Sequence, residues 1–230
     1  MPKWNTITER ELGRITNRLK RKRVDHFVRR LDLGPDDRIL DLGSEAGSYL
    51  ARFYPYPENI VLADLSEEPM RAGVERYGLR GYVVIPEDGP LPIGDGEYAA
   101  VWCNSAIEHV TVPSDQLLTV GDRQFRARAE RHQEQFAAEI RRIGRGYFVQ
   151  TPYRHLPIEA HSWLPGVQYL RQEHRLTLAR GLNRIWVKQW WPNFHLFDKK
   201  RFRRLFPDAT AFEVERVLGL PKSLIAIRAA

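Results

Sequence analysis

Hydrophobic residues along the chain fall into short continuous runs that alternate with segments of helical period. The runs are rich in valine, isoleucine and aromatic residues, as is typical of strands buried on both faces. They predict strands at 38–42, 59–66, 81–85, 98–104 and 146–151. The segments between them predict helices at 47–54, 67–76 and 123–142. Strands that alternate with helices indicate a parallel sheet covered by helices.

The longest of these helices, at 123–142, is predicted to bury one face. Apolar or weakly polar residues recur along it at helical spacing, which indicates a stripe facing the core. The stripe consists of Phe125, Ala129, His132, Phe136 and Ile140.

The pattern changes after residue 151. Residues 152–196 are rich in proline, histidine and aromatic residues around a helical middle, and a helix near 198–206 follows. Two strands are predicted at 210–218 and 223–228, and the short link "GLPK" between them favours an antiparallel hairpin. The predicted fold class is α/β: a doubly wound, mostly parallel sheet with a C-terminal antiparallel hairpin strand and an inserted helical and aromatic lid.

A further helix, at 7–31, precedes the first strand and ends before Gly34 and Pro35. Its apolar positions are Leu12, Ile15, Leu19, Val24, Phe27 and Leu31. The predicted organisation is a single domain of three parts: an N-terminal basic helix at 1–35, a core at 36–151 and 197–230, and a substrate lid at 152–196.

The chain is basic, with a net charge of +7 and a pI near 9.7. Much of the excess comes from "RLKRKR" at 18–23, with Arg29 and Arg30 nearby, and from "KKRFRR" at 199–204. Such clusters can attract nucleic acid, but they are also typical of solvated helix faces. Neither cluster has the interleaved aromatic residues of a base-stacking surface. A nucleic-acid partner therefore stays open but is not favoured.

Composition excludes several classes of protein. The single cysteine, Cys103, rules out an internal disulfide and a cysteine-rich metal site. No apolar run approaches the roughly 18 residues that a membrane span requires. The polar start "MPKWNTITERELGR" lacks the apolar centre of a secretory signal, so a cytoplasmic location is expected.

Polar residues stand at the ends of four predicted strands. Asp41 and Asp64 end the first two, Asp88 follows the third, and Asn104 ends the fourth. Ligands of open parallel sheets bind beyond the carboxyl ends of the strands, and an acidic residue on the second strand is placed to meet a ribose. The two aspartates could instead only cap helices. Their occurrence at successive strand ends favours a nucleoside site.

The loop after the first strand, "DLGSEAG" at 41–47, carries an unexpected charge. Glu45 lies where a pyrophosphate would approach the helix N-terminus, and it would repel that group. A nicotinamide dinucleotide is therefore disfavoured. A nucleoside that carries cations, such as S-adenosylmethionine with its sulfonium and ammonium groups, suits the loop better.

Together, "ILDLGSEAG", "LADLS" and "EDGPLPIGDGEYAAVWCNSAIEHV" resemble the class I S-adenosylmethionine-dependent methyltransferases. The resemblance is closest to small-molecule-type domains whose fourth strand ends in an "EH" signature. The later segments "FVQTPYRHLPIEAH" and "LFPDATAFEVERVLGLPKSLIAIR" are similar to a bacterial subgroup. The likeness extends from about residue 36 to 228 and implies a Rossmann-like core. One departure is Glu45, which stands in the central glycine position of the family loop.

The resemblance also implies roles for individual residues. The methionine part of the cofactor would rest on the first loop, at Asp41, Gly43, Ser44, Glu45 and Gly47. The ribose would meet Asp64 and the adenine Leu65, Asp88 and Gly89, with Glu87 as an alternative to Asp88. Asn104 would line the path to the transferred methyl group, and Glu108 and His109 would open the next helix on the substrate side.

Methyl transfer to an O or N nucleophile can require a general base, for which histidine is the natural candidate. The candidates are His109, His155, His161 and His195, and Glu159 lies between the second and third of them. Each could equally be structural. The segment "HLPIEAH" could suggest a metal pair, but no third ligand follows at short range, so no metal is predicted.

The favoured function is methyl transfer from S-adenosylmethionine to a small-molecule acceptor through the lid at 152–196. Trp163, Trp186, Trp190 and Trp191 would either form that lid or form the core of the segment. The alternatives are an RNA or protein methyltransferase that uses the basic helix, and a non-catalytic domain of the same fold. The sequence does not determine the oligomeric state.

Overall fold

A computed structural model describes residues 4–113 and 115–229, with side chains from residue 16 onward. Its helices are α1 (Trp4–Leu31), α2 (Ser48–Ala51), α3 (Glu67–Tyr77), α4 (Asp122–Ile143), α5 (Gln172–Leu182) and α6 (Lys199–Leu205). Its strands are β1 (Ile39–Leu42), β2 (Ile60–Asp64), β3 (Gly81–Val84), β4 (Tyr98–Asn104), β5 (Gly144–Pro152), β6 (Ala211–Val217) and β7 (Leu220–Arg228). Single 3-10 turns lie at Pro57–Asn59, Ile107–His109 and Val167–Tyr169.

The strands form one sheet in the order β3-β2-β1-β4-β5-β7-β6. The first five are parallel, and β7 runs antiparallel to both β5 and β6. The predicted fold class is confirmed. The order in which successive strands are added to the sheet reverses between β1 and β4, since β2 and β3 lie on one side of β1 and β4 and β5 on the other. Ligands of open parallel sheets bind at this point.

The hairpin between β6 and β7 is tighter than the sequence analysis predicted. β7 begins at Leu220, so the turn consists of Leu218 and Gly219, both with positive φ (50° and 80°). Two central residues of positive φ are typical of the hairpin turn whose twist matches that of the strands. Pro221 therefore lies within β7. The sequence analysis predicted it in the link between the two strands.

Both faces of the sheet are covered. Alternate residues along each central strand enter one of two apolar cores, because successive side chains point to opposite faces. One core receives α1, α2 and α3, and its centre is a stacked pair, Trp102 and Phe148, with ring centroids 5.1 Å apart. Phe27 of α1 packs 5.0 Å from Trp102. The other core receives α4 and α6.

The α4 stripe was only partly predicted. The prediction is correct for Phe125, Ala129 and Ile140, which are buried, but Gln133 and Ala137 also lie on the buried face. His132 and Phe136 lie one position N-terminal to these, on the flank of the helix, and are half-buried. The reason is that a period of 3.6 residues allows either an i+3 or an i+4 step, and the apolar pattern does not distinguish them.

The basic N-terminal helix is tied to the sheet by its own charges. Arg23 donates to Asn104 Oδ1 at 2.7 Å and forms an ion pair with Glu215, while Arg30 and His26 contact Glu213. Part of the positive charge in this segment is therefore neutralised within the chain. The predicted positions Leu12 and Ile15 lie outside the residues whose side chains are described.

The segment 152–196 has a small apolar core of its own. This core contains Val167, Ala179, Trp190, Phe194 and Leu196. No helix of the described residues is long and apolar enough to cross a membrane.

Candidate functional site

A cavity of about 630 Å³ opens at the carboxyl ends of β1, β2, β3 and β4. Of the residues that the sequence analysis selected, it is lined by Gly43, Ser44, Glu45, Asp64, Leu65, Asp88, Gly89 and His109. The loops after four neighbouring strands thus meet around one space, as the positions of their polar residues predicted.

The first loop fits tightly against its neighbours because of its glycines. Gly43 has a φ of 76°, and a Cβ there would come within 2.5 Å of the Ala106 Cβ. Gly47 has a φ of 64°, and a Cβ there would meet a Leu62 methyl at 2.4 Å. Both positions therefore require glycine on conformational and steric grounds.

Glu45 takes the backbone conformation that a glycine would take. Its φ is 52°, in the left-handed region that side chains disfavour, and its N–H donates to Asp64 Oδ2 at 2.8 Å. The loop therefore keeps its shape without the central glycine of the family pattern. The exposed Glu45 side chain lines the cavity, so its charge faces any bound ligand.

We expect Glu45→Gly to stabilise the free protein. A non-glycine residue in the left-handed region costs about 1–2 kcal/mol, and the extra freedom of glycine in the unfolded chain offsets about 0.4–1 kcal/mol of the relief. Urea unfolding should show a gain of about 0.5–1 kcal/mol. The matched control is Glu75→Gly, an exposed position within α3, which should lose about 1 kcal/mol. A loss of equal size in both variants would contradict the strained loop.

Two aspartates lie at the base of the loop. Asp64 accepts hydrogen bonds from the N–H groups of Glu45 and Leu65, at 2.8 and 2.7 Å, and lines the cavity. Asp41 is fully buried, and neither of its carboxylate oxygens has a hydrogen-bond partner. Burial raises the pKa of the Asp41 carboxyl to about 7; the nearby Ser44 side chain opposes this shift, and repulsion by Asp64 adds to it. The Ser44 hydroxyl is also buried without a partner.

The third loop presents two acidic residues rather than one. Asp88 and Glu87 both line the cavity, and Asp88 Oδ1 accepts from the Gly89 N–H at 2.9 Å. The structure therefore leaves both carboxylates as candidates for an adenine contact.

Three predicted cofactor residues do not line the cavity. Asp41 and Gly47 support the loop from below, as described above. Asn104 is engaged by Arg23, and the next two residues, Ser105 and Ala106, line the cavity in its place. This corrects the position predicted for Asn104, because the strand continues to residue 104 before the chain turns toward the cavity.

The candidate bases are distributed differently from the prediction. His155 is exposed and bonds the Tyr169 hydroxyl at 2.9 Å, away from the cavity. His195 contacts Arg201 at 3.1 Å, and burial lowers its pKa to about 3. Of the two histidines that flank Glu159 in the sequence, His155 therefore bonds a tyrosine outside the cavity lining and does not contact that glutamate.

His161 does pair with Glu159, at 2.6 Å between Nδ1 and Oε1. Glu159 is buried and also accepts from the N–H groups of His161 and Ser162. Burial alone would raise its pKa, but the hydrogen bonds from His161 and Ser162, together with electrostatic attraction to His161 when that ring is protonated, hold the pKa of Glu159 at about 2. The other face of His161 meets Glu108, with Nε2 and Oε1 3.8 Å apart.

Glu108 and His109 lie in a 3-10 turn instead of opening a helix, because α4 begins only at Asp122. Glu108 is fully buried, which raises its pKa to about 7, and it accepts from the Thr151 hydroxyl at 3.0 Å. His109 lines the cavity, and burial lowers its pKa to about 4, so that its ring is neutral near pH 7.

The sequence analysis missed Asn193, which lines the cavity and contacts His109 Nδ1 at 3.3 Å. The signal for it was a polar residue inside the aromatic run "WWPNFH". No tryptophan of the segment lines the cavity: Trp190 belongs to the small core, and Trp163 and Trp191 are exposed.

Solved structures similar to this one were found over most of the chain, whereas no protein-family model and no curated protein sequence matches it. A chain from a Haloferax volcanii complex between a methyltransferase activator and a proposed methyltransferase has a TM-score of 0.54 and 16% identity, over 97% of this chain and 94% of that one. An S-adenosylmethionine-dependent methyltransferase from Methanosarcina mazei has a TM-score of 0.52 and 14% identity, over 85% and 92%. The 1,6-didemethyltoxoflavin-N1-methyltransferase of Burkholderia thailandensis, with its acceptor and S-adenosylhomocysteine bound, has a TM-score of 0.51 and 16% identity, over 97% and 84%.

At identities this low, the structural similarity establishes the fold alone. The activity has to be inferred from the chemistry of the site. The sheet order, the antiparallel β7 and these likenesses agree. The chain has the Rossmann-like fold of class I S-adenosylmethionine-dependent methyltransferases.

Proposed function

We propose that the protein is a methyltransferase that moves the methyl group of S-adenosylmethionine to an O or N nucleophile of a small-molecule acceptor. One observation carries the proposal. The chain has a net charge of +7, yet the titratable side chains that line the cavity are five carboxylates and two histidines. Among the described residues, no lysine or arginine lines it. The carboxylates are Glu45, Asp64, Glu87, Asp88 and Glu139.

This charge distribution favours a cationic nucleoside over a phosphate. Phosphate groups are held by lysine, arginine or a free helix N-terminus, and here the first loop presents Glu45 instead. A sulfonium and an ammonium group would be attracted to the same carboxylates. Ser44 belongs to this loop and lines the cavity, and its hydroxyl, which has no hydrogen-bond partner, offers a polar group for an amino-acid moiety.

The residues present therefore fit S-adenosylmethionine. Ser44, Glu45 and the backbone around Gly43 would hold its methionine part, Asp64 its ribose, and Leu65 with Asp88 or Glu87 its adenine. When bound, the cofactor supplies an electrophilic methyl group that a nucleophile can displace directly. The contribution of the protein is to align the acceptor with that group and to exclude water.

We assign the acceptor to the part of the cavity wall that His109 and Asn193 line. These two residues provide polar groups, while Val110, Val112 and Phe136 provide apolar surface. A few polar groups on an apolar wall are typical of small-molecule sites, as is a cavity volume of about 300–1,000 Å³. In this proposal the segment 152–196 contributes through Asn193, and its tryptophans stabilise the segment.

An RNA methyltransferase is the second candidate, and the acidic cavity argues against it. A polynucleotide would bring its phosphates to Glu45, Glu87 and Asp88, which would repel them. Two of the basic residues that could compensate, Arg23 and Arg30, are already paired with glutamates of β6.

A comparative titration tests the proposal. We expect S-adenosylmethionine and S-adenosylhomocysteine to bind with a stoichiometry of one, and ATP and NAD to bind at least tenfold more weakly. Tighter binding of ATP or NAD would refute the assignment. Salt-dependent RNA binding without cofactor binding would favour the second candidate. A non-catalytic domain would bind the cofactor yet yield no S-adenosylhomocysteine with any of a panel of phenol, amine and heterocyclic acceptors.

A further inference from the structure

Three side chains that can bind a metal converge beside the cavity. Glu108, His109 and His161 each offer one ligand atom, and these atoms all lie within 4.8 Å of one another. The sequence analysis predicted no metal because it found no third ligand near His155 and His161. The fold supplies two, since the 3-10 turn after β4 packs against the segment that follows β5.

Hydrogen bonds orient both histidines so that one nitrogen of each stays available. Both carboxylate oxygens of Glu159 accept backbone N–H groups, and Oε1 lies 2.6 Å from His161 Nδ1, so this contact places Glu159 as the acceptor of the Nδ1 proton. His109 Nδ1 lies 3.3 Å from Asn193 Oδ1, which is also an acceptor. With the ring protons on Nδ1, each Nε2 keeps a lone pair. Metal-binding histidines almost always show this arrangement, in which the outer nitrogen donates to a carboxylate or carbonyl oxygen.

Glu108 completes the set. It is fully buried, and while its Oε2 accepts from Thr151, its Oε1 has no hydrogen-bond partner. Oε1 lies 3.8 Å from His161 Nε2, which is too long for a hydrogen bond. Two ligands that each lie about 2.1 Å from one ion are commonly separated by about 3–4 Å. A buried oxygen without a donor, facing a nitrogen at this distance, is the geometry of a site for a cation.

We propose that Glu108, His109 and His161 bind a divalent transition-metal ion, with Glu159 and Asn193 as the partners that orient the two histidines. Two imidazoles and one carboxylate form a ligand set used for Zn²⁺ and Fe²⁺, with further positions open to water or substrate. Imidazole ligands favour such ions over Mg²⁺ and Ca²⁺, which prefer oxygen.

The position of the site suggests a use. His109 lines the cavity on the acceptor side, so the ion would lie at the cavity wall. The next step alone rests on the proposed methyl transfer. The ion would coordinate the acceptor through an oxygen or nitrogen atom, and it would lower the pKa of that acceptor group. Acceptors with a hydroxyl next to a second donor atom would then be preferred.

Metal binding can be measured without any cofactor or acceptor. The protein is first treated with a chelator, and the chelator is then removed. We expect one Zn²⁺ or Co²⁺ ion to bind per chain. Bound Co²⁺ should give the visible absorption bands of an ion with nitrogen and oxygen ligands. Saturation with Zn²⁺ should raise the melting temperature by about 5–10 °C, and the chelator should reverse the shift.

The variants Glu108→Gln, His109→Asn and His161→Asn should each weaken binding at least tenfold, whereas His155→Ala, from the same histidine-rich segment, should bind as the wild type does. Circular dichroism identifies any variant that fails to fold. In that case the reversible shift in the melting temperature of the wild type still tests whether the metal binds. Absence of stoichiometric binding to the wild type would overturn the proposal. Binding that is unchanged in all three variants would also overturn it. Neither result would bear on the binding of S-adenosylmethionine.

Discussion

Replacement of Asp64 by alanine should weaken S-adenosylmethionine binding about 100-fold. Asp64 lies at the end of β2 and lines the cavity, where it is assigned to the two ribose hydroxyls. A hydrogen bond to a charged group contributes about 1.5–3 kcal/mol, and the loss of two such bonds corresponds to at least 2 orders of magnitude in affinity. Titration calorimetry at constant pH and ionic strength measures the effect.

The matched control is Glu67→Ala. Glu67 is an exposed carboxylate three residues further along the chain, bonded to the Tyr82 hydroxyl and absent from the cavity lining. We expect its affinity to stay within threefold of the wild type. Because Asp64 also accepts two backbone N–H groups, Asp64→Asn serves as a second variant that keeps one acceptor oxygen and should lose less. Equal affinity in wild type and Asp64→Ala would remove the ribose assignment.

The second large effect concerns Asp41 and pH. Its pKa is raised from the ordinary value near 4 to about 7 by burial, so the folded protein binds a proton in this range that the unfolded chain releases. The free energy of unfolding should therefore fall as pH rises from about 4 to about 7. Three pKa units correspond to about 4 kcal/mol.

Asp41→Asn should remove this contribution. We expect the variant to match the wild type near pH 4 and to be more stable by at least about 2 kcal/mol at pH 8, as measured by urea unfolding at both pH values. Glu108 and Cys103, the other buried groups of raised pKa near β4, are present in both proteins and cancel in the difference. A difference that is independent of pH would show that Asp41 is ionised in the folded protein throughout.

Cofactor binding should couple to the same proton. A cation bound above the loop would favour the ionised form of Asp41 and release its proton. The affinity of the wild type for S-adenosylmethionine should then rise between pH 6 and 8, and the affinity of Asp41→Asn should change less.

The sequence predicted the sheet well because its strands are buried on both faces. Such strands appear as continuous apolar runs, and the acidic residues that follow them are adjacent in sequence to the strand ends they occupy. Asp64 and the loop at 43–45 were located for that reason. The prediction for Asn104 was wrong although the end of β4 was located correctly, because the side chain of Asn104 is held by Arg23 of α1, a long-range contact that the apolar pattern does not indicate.

The histidines could not be placed from sequence for a different reason. His161 belongs to an irregular segment without hydrophobic periodicity, so nothing in the pattern indicates which way its side chain points. Its partners Glu108 and His109 lie about fifty residues earlier, and only the packing of two loops brings them together. The position of Glu159 between His155 and His161 favoured both histidines equally, and in the structure Glu159 pairs with His161 while His155 bonds Tyr169.

The most direct test of the central claim is a crystal structure of the protein grown with S-adenosylhomocysteine. We expect density for S-adenosylhomocysteine in the cavity at the ends of β1, β2, β3 and β4. Its ribose should lie at Asp64, and its amino-acid part should lie against the loop of Gly43, Ser44 and Glu45. Density for the ligand elsewhere on the protein, or an empty cavity at a saturating ligand concentration, would contradict it.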